Sequence, residues 1–546
     1  MLYRSLVFLA IGISSAAAAV VPRAVPAVTL DTAIVSGTSS GQVSKFLGIP
    51  FAKPPTGDLR FRLPQPVPAY TSSFSATSFG PSCPQQAISL PILSGLVAEA
   101  VNYIVNSIYG VIFSDSEDCL TLNVVKPASA TPTSKYPVVV WIFGGGFEVG
   151  GTSLYDGGVI VDRSIGLGSP VIYVSMNYRV TGFGFLASKE VKSAGVGNLG
   201  LQDQREALRW IQKYIGAFGG DPTKVTIWGE SAGAISVSLQ MVANNGNAEG
   251  LFRASFMQSG SPIPVGEITN GQQYYDAIVS QTGCSGSADT LQCLRTVPYA
   301  TLKAAINRSP GIFTYQSLRL AWLPRADGVF LADNPQKLVQ QGKVANVPFI
   351  TGDCDDEGTL FSLSTLNITT ESQLKTYIKS TFLPGVSDTE INTLADLYPG
   401  DVTEGSPYGT GILNVLSPQF KRIASFQGDG VFQAPRRFFL DQRSGKQNTW
   451  AFLSKRLKVL PILGSVHASD ILNIYGGGEL TDYLIRFAVN LDPNSKTGLQ
   501  WPKYTTSTRK LLTFYDDLLF PQRITDDTYR KDAMAFLTNV TLAHPI

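Results

Sequence analysis

The chain carries two histidines in 546 residues, so a reaction that needs an imidazole base has almost no choice of supplier. One is His544, close to the end of the sequence; the other, His467, stands in Gly464-Ser-Val-His-Ala-Ser-Asp470. It lies downstream of Gly229-Glu-Ser-Ala-Gly233, whose G-x-S-x-G spacing is that of a serine held on a tight strand-to-helix turn. A serine hydroxyl is a weak nucleophile until an imidazole takes its proton, and an acid is needed to orient that imidazole. Ser231 and His467 are therefore candidates for nucleophilic catalysis through an acyl-enzyme.

The pentapeptide alone is weak, because a chain with 52 glycines produces it by chance. Its flanks carry the weight. Lys224 to Gly229 (KVTIWG) reads as a buried strand running into Ser231, and Ala232 to Val242 is apolar nearly all round, as a helix behind a sheet is. Upstream, Phe143-Gly-Gly-Gly-Phe147 closes a further apolar run, Pro137 to Phe143. There Gly145 and Gly146, together with Ala232, would offer backbone N–H groups to the oxyanion of a tetrahedral intermediate, one such donor being worth about 3 kcal/mol of barrier. A phosphate loop would need a Lys-Ser/Thr or a spaced G-x-G-x-x-G, and these residues supply neither. The acid should fall between serine and histidine in the chain. Gly352-Asp-Cys-Asp-Asp-Glu-Gly358 follows the run Val347 to Thr351, and position does not choose among Asp353, Asp355, Asp356 and Glu357.

The elements that must position these groups are short β-branched or aromatic runs, to which Val171 to Asn177, Ala254 to Gln258 and Trp450 to Ser454 belong as well. They read as buried parallel strands. Between them lie helical patterns, clearest from Gln204 to Ile215. The alternation predicts an α/β fold, one sheet with insertions. No linker, repeat or composition break follows Asp31, so one domain over 20–546 is expected. Net charge is +2 with 15% charged residues, and Lys and Arg occur singly, which excludes a nucleic-acid footprint.

Residues 1–19 read as a signal peptide, a short positive start, an apolar stretch too short to span a bilayer, then small residues, which predicts a secreted, extracellular protein. In an oxidising compartment five cysteines leave one thiol over. The spacings suggest one loop between Cys284 and Cys293 and one between Cys83 and Cys119, with Cys354 left, although spacing does not fix pairing. Asn307, Asn367 and Asn539 open glycosylation triplets. Between Cys83 and Cys119, Leu93, Leu96, Val97, Ala100, Val101, Ile104, Val105 and Ile108 recur at helical spacing as one apolar stripe.

Taken together, Gly48-Ile-Pro-Phe-Ala-Lys-Pro-Pro55, Ser116-Glu-Asp-Cys-Leu-Thr-Leu-Asn123, the Phe143 to Phe147 motif, Asn177-Tyr-Arg179, Gly197-Asn-Leu-Gly-Leu-Gln-Asp-Gln204, Phe218-Gly-Gly-Asp-Pro222 and Gly229 to Gly233 resemble the type-B carboxylesterase/lipase family, in its secreted fungal lipase and sterol esterase branch. The resemblance places the acid on Glu357, in Asp356-Glu-Gly-Thr359, and the base on His467. It pairs Cys83 with Cys119 and Cys284 with Cys293, and it leaves Cys354 unbridged. Phe143 stands where relatives with an H-G-G-G motif carry histidine. Phe147 is expected to line the acyl site, and Phe313, Leu360 and Phe361 are candidate wall residues, which ordinary core packing explains equally well. An ordinary packed helix would explain the apolar stripe, but residues 84–118 resemble a cysteine-closed lid, and the resemblance implies an α/β-hydrolase fold, a large mixed, mostly parallel sheet flanked by helices, with lid and loop insertions. What this implies is a hydrolase of long-chain fatty acid esters, acylglycerols and sterol esters, working at an oil–water or micelle interface without cofactor or metal. Its open lid would favour weak homodimers or aggregates. A soluble-ester carboxylesterase is the alternative, and a silent cholinesterase-like adhesion protein a remote one.

Overall fold

Strands with both faces covered bury every side chain rather than every second one, which is why the apolar runs here do not alternate. In the computed structural model, which describes residues 25–88, 99 and 114–546, they build one large sheet. The expected signal segment and the apolar stripe at 93–108 lie outside the described residues. A small three-stranded sheet is formed by β1 (Ala27–Leu30), β2 (Ala33–Ser36) and β5 (Phe74–Ser75). The large sheet holds β3 (Thr38–Ser40), β4 (Val43–Pro50), β6 (Thr121–Pro127), β7 (Tyr136–Ile142), β8 (Ile172–Met176) and β9 (Gly220–Glu230). It continues with β10 (Ala254–Gln258), β11 (Phe349–Cys354), β12 (Thr449–Lys455), β13 (Lys510–Tyr515) and β14 (Gln522–Asp526).

These eleven strands lie in the order β3-β4-β6-β8-β7-β9-β10-β11-β12-β13-β14. From β8 to β13 every neighbouring pair is parallel, and the pairs at both ends are antiparallel. This is the α/β arrangement that the alternating pattern predicts and the α/β-hydrolase fold that the resemblance implies.

Two boundaries move for a physical reason. The strand expected at 347–351 runs on to Cys354, because Asp353 is kept in the buried strand by Arg436 (2.8 Å). The helix Leu199–Tyr214 starts five residues before Gln204, where Asn198 adopts the left-handed conformation (φ 54°) and its side-chain amide is held by Arg325 and Asp327. A long-range anchor of that kind leaves no periodic trace. The elbow helix, Ala232–Gly246, loses helical backbone at Ala243, so its regular part ends at Val242. Cys83–Cys119 and Cys284–Cys293 are disulfides, and Cys354 is free and buried.

What positions the site is the adjacency of β9, β10, β11 and β12. Because the four run parallel, the residues that follow them gather at one edge of the sheet. Ser231 follows β9, Ser259 follows β10, Glu357 follows β11, and His467 lies on the loop after β12.

Candidate active site

Ser231 sits between the last residue of β9 and the first of the elbow helix with φ 54° and ψ −127°, a conformation that non-glycine residues avoid. The turn is tight enough that a Cβ on Gly233 would fall 2.0 Å from the carbonyl oxygen of Ile142. The two pentapeptide glycines therefore let the elbow close onto the neighbouring strand, and the closed turn lifts the serine hydroxyl clear of the sheet.

His467 meets that hydroxyl: Nε2 lies 2.8 Å from Ser231 Oγ. Its Nδ1 lies 2.5 Å from Glu357 Oε2. The other carboxylate oxygen accepts from the Ser259 hydroxyl at 2.7 Å and from the Cys354 N–H at 2.5 Å. All four side chains or groups are buried. The rings of Phe432 and Phe361, with centroids 4.5 and 5.2 Å from that of His467, exclude water from the imidazole. Burial lowers His467 to about 4, against the opposing charges of Asp470 and Asp353. Burial raises Glu357 above the usual carboxylate range, while the Ser259 hydroxyl and Cys354 amide hold it toward the ionised form. The resting imidazole is accordingly neutral. With its Nδ1–H donated to Glu357, its Nε2 lone pair faces the serine.

The four carboxylates that spacing left equivalent are held in different ways, although Asp355 and Asp356 share Lys458. Asp353 pairs with Arg436, and Asp355 with Lys458 at 2.6 Å. Asp356 accepts from the N–H groups of Ser465 and Tyr408, both at 2.8 Å, and from Lys458 at 2.6 Å. It thereby pins the loop two residues before His467. Only Glu357 reaches the imidazole.

Two further acids belong to the setting. Glu230, inside the pentapeptide, places Oε1 3.3 Å from His467 Nε2, and neither of its oxygens has a hydrogen-bond partner among the described residues. Burial, with the charges of Asp470 and Glu357 behind it, raises its carboxyl well above the usual range. Asp470 accepts from Gln258 at 2.8 Å, and burial pushes it up to about 6. Neither was singled out by motif. The only signals were an acid beside the serine and another three residues after His467.

Gly145 (φ 116°) and Gly146 (φ 63°) turn the oxyanion-loop backbone into conformations that side chains disfavour. A Cβ on Gly144 would lie 2.9 Å from Ser231 Cβ, so the loop is packed directly on the elbow. Within the described residues no backbone partner engages the N–H of Gly145, Gly146 or Ala232. The buried Glu148 that follows the loop holds the Ile312 N–H at 2.9 Å and so fixes one wall of the adjoining cavity.

That cavity is narrow, about 30 Å³, and is lined by Gly146, Phe147, Ala232, Ile312, Leu320, Phe361, Phe432 and Ile546 among others, together with Ser231. Phe147 and Phe361 are thus among its lining residues. Phe313 and Leu360 do not line it. Phe313 stacks behind Phe361 at 6.4 Å, and Leu360 is buried beside it, because in each case it is the chain neighbour, Ile312 or Phe361, that faces the space.

A sheet of this order, with an elbow serine hydrogen-bonded to a neutral, carboxylate-held imidazole, defines a serine hydrolase of the α/β-hydrolase fold. The chain belongs to the carboxylesterase family, whose profile matches residues 24–536, and it is a carboxylic ester hydrolase. It is similar to Lipase 4 of Diutina rugosa, with 48% identity over 85% of this chain and 86% of that protein. It is also similar to the secreted triacylglycerol lipase LIP1 of Gibberella zeae, with 40% identity over 93% and 89%. Among solved structures, Aspergillus niger EstA superposes with a TM-score of 0.80 at 28% identity, over 96% of this chain and 99% of that one.

Proposed function

We propose that the protein is a secreted lipase and sterol esterase that hydrolyses esters of long-chain fatty acids, with acylglycerols and sterol esters as substrates. The observation that carries this reading is the cavity over Ser231: among its described lining residues the serine hydroxyl is the only polar side-chain group. A short, polar acyl group would gain nothing there, whereas each methylene taken from water gains about 0.8 kcal/mol. The names of the fungal relatives point the same way.

In this reading Ser231 Oγ attacks the ester carbonyl as His467 Nε2 takes its proton. Glu357 holds the imidazole tautomer and stabilises the imidazolium. The N–H groups of Gly145, Gly146 and Ala232 receive the oxyanion. His467 then passes the proton to the leaving alcohol, the acyl group stays on Ser231, and water repeats the sequence to release the fatty acid. Residues 1–19 direct export and are removed, leaving 20–546 as a single domain, with 84–118 as its lid. Of the glycosylation triplets, Asn367 and Asn539 are exposed and suited to carry glycans. Asn307 is half-buried, with its side-chain oxygen accepting from Ala87 at 3.0 Å.

The test is the initial rate on emulsified triolein and on cholesteryl oleate beside dissolved p-nitrophenyl acetate, each followed across its solubility limit. Rates on both lipids that rise once an interface forms are expected. Activity confined to dissolved short esters would instead identify a soluble carboxylesterase.

The pH profile is a second expectation. His467 must be neutral to accept the serine proton, so activity is present above its pKa and lost as pH falls through it. Burial lowers that value to about 4, so the acid limb of kcat/KM on a dissolved ester should lie near 4. A limb at the ordinary imidazole value of about 6.5 would show that water reaches the ring.

A further inference from the structure

The geometry points to a second lipid-binding surface, outside residues 84–118, formed by Leu518, Leu519, Phe520, Val459, Ile412 and Leu413 and seated on the neutral oil phase that holds the substrate. It rests on the lipase reading and deepens it.

Eight large apolar side chains among the described residues are more than 60% exposed, and six of the eight are these. They stand on three neighbouring loops. The Lys458 N–H on the loop after β12 donates to Asp516 Oδ2 at the β13–β14 turn (3.3 Å), and the Ile462 N–H of that same loop donates to Asn414 Oδ1 (2.9 Å). Val459 lies between the two ties. A hairpin turn is ordinarily built of polar or glycine residues, yet this one reads Asp516-Asp-Leu-Leu-Phe-Pro521. It is not loose: Asp517 Oδ1 accepts from the N–H groups of Leu519 and Phe520 at 2.9 and 3.1 Å, and Arg523 ion-pairs with Asp517. The apolar tip is thus held outward, and its cost in exposed apolar area is recovered only against another apolar phase.

Three observations say which phase. First, β12 and β13 run parallel to β9 and β11, so the loop after β12 and the turn after β13 leave the same edge of the sheet as Ser231 and Glu357. Second, Val459 and His467 share one loop, so the surface is continuous in the chain with the site that must meet the ester. Third, the cations around it are neutralised: Lys458 by Asp355 and Asp356, Arg456 by Glu479 and Arg523 by Asp517. An anionic membrane would be met by clusters of unpaired Lys and Arg. A neutralised apolar edge fits droplets of uncharged esters.

The test uses the full chain carrying Leu518→Ser/Leu519→Ser/Phe520→Ser, and separately Val459→Asp. Partition onto triolein droplets is measured by depletion from the aqueous phase, in a Ser231→Ala background so that the droplets stay intact. kcat/KM on dissolved p-nitrophenyl butyrate is measured with Ser231 present. Partition at least tenfold weaker for the triple variant and severalfold weaker for Val459→Asp is expected, with dissolved-ester kinetics within twofold of the parent. If the triple variant loses dissolved-ester activity, Val459→Asp decides by the same criterion. Unchanged partition overturns the surface. So does unchanged partition accompanied by a dimer-to-monomer shift in sedimentation, which would assign the patch to a second copy. A wild type that adsorbs yet leaves triolein intact would overturn the lipase reading, while weaker adsorption of the variants would still sustain the surface.

Discussion

Ser231→Ala is expected to lower kcat/KM on dissolved esters by about 10⁴- to 10⁶-fold while the fold and the apolar cavity remain. Nothing else in the cavity lining carries a nucleophilic side chain. The residual rate would come from oxyanion donors and binding alone. Alanine keeps the Cβ and therefore the strained backbone at φ 54° and ψ −127°. That strain, of order 1–3 kcal/mol in such a conformation, is carried for function. A paired variant separates the two effects: Ser231→Gly should be equally inactive yet at least as stable in thermal unfolding as Ser231→Ala, because glycine occupies this conformation without strain. Appreciable turnover in either variant would remove Ser231 from the reaction.

The strain also explains why the elbow could be recognised in the sequence. Its requirements are local: a strand, a serine between two glycines where a Cβ would strike the neighbouring strand, and a helix buried on all sides. All fall within about twenty-five consecutive residues. His467 was legible for another reason, the scarcity of histidine. The large sheet was legible because buried parallel strands are written as unbroken apolar runs.

The acid was not legible from spacing. Asp353, Asp355, Asp356 and Glu357 look alike locally, and what separates them is Arg436, Lys458 and the backbone at 408 and 465, all more than 50 residues away in the chain. Only the resemblance to a family singled out Glu357 among them. Phe313 and Leu360 are each one residue from a lining position, and neighbours in the chain point in different directions. Ile546, at the opposite end of the sequence from the glycine loop, carries no local mark that it faces the same space. Glu230 and Asp470 were overlooked because acids are almost never fully buried; their burial beside His467 exists only after folding.

Glu357→Gln tests the acid, and the geometry sets its outcome. The backbone N–H of Cys354 points at Oε1 at 2.5 Å and cannot reverse its role as donor. A glutamine must therefore place its amide oxygen there, which turns its NH₂ toward His467 Nδ1. The imidazole then accepts at Nδ1 and carries its proton on Nε2, where the Ser231 proton has to go. The base is lost although every heavy atom stays in place, and kcat should fall by about 10⁴-fold, with little change in KM. Asp355→Asn, which loosens only the pairing with Lys458 and Lys455, should lose less than about tenfold. Asp353→Asn removes one of the two buried carboxylates on Arg436, which keeps Asp527 at 2.9 Å, and should show mainly as lower thermal stability. The measurement is kcat and Tm for the three variants side by side. Equal losses of kcat in all three would mean that the imidazole takes its orientation from the whole acidic segment, and the distinct role of Glu357 would fall.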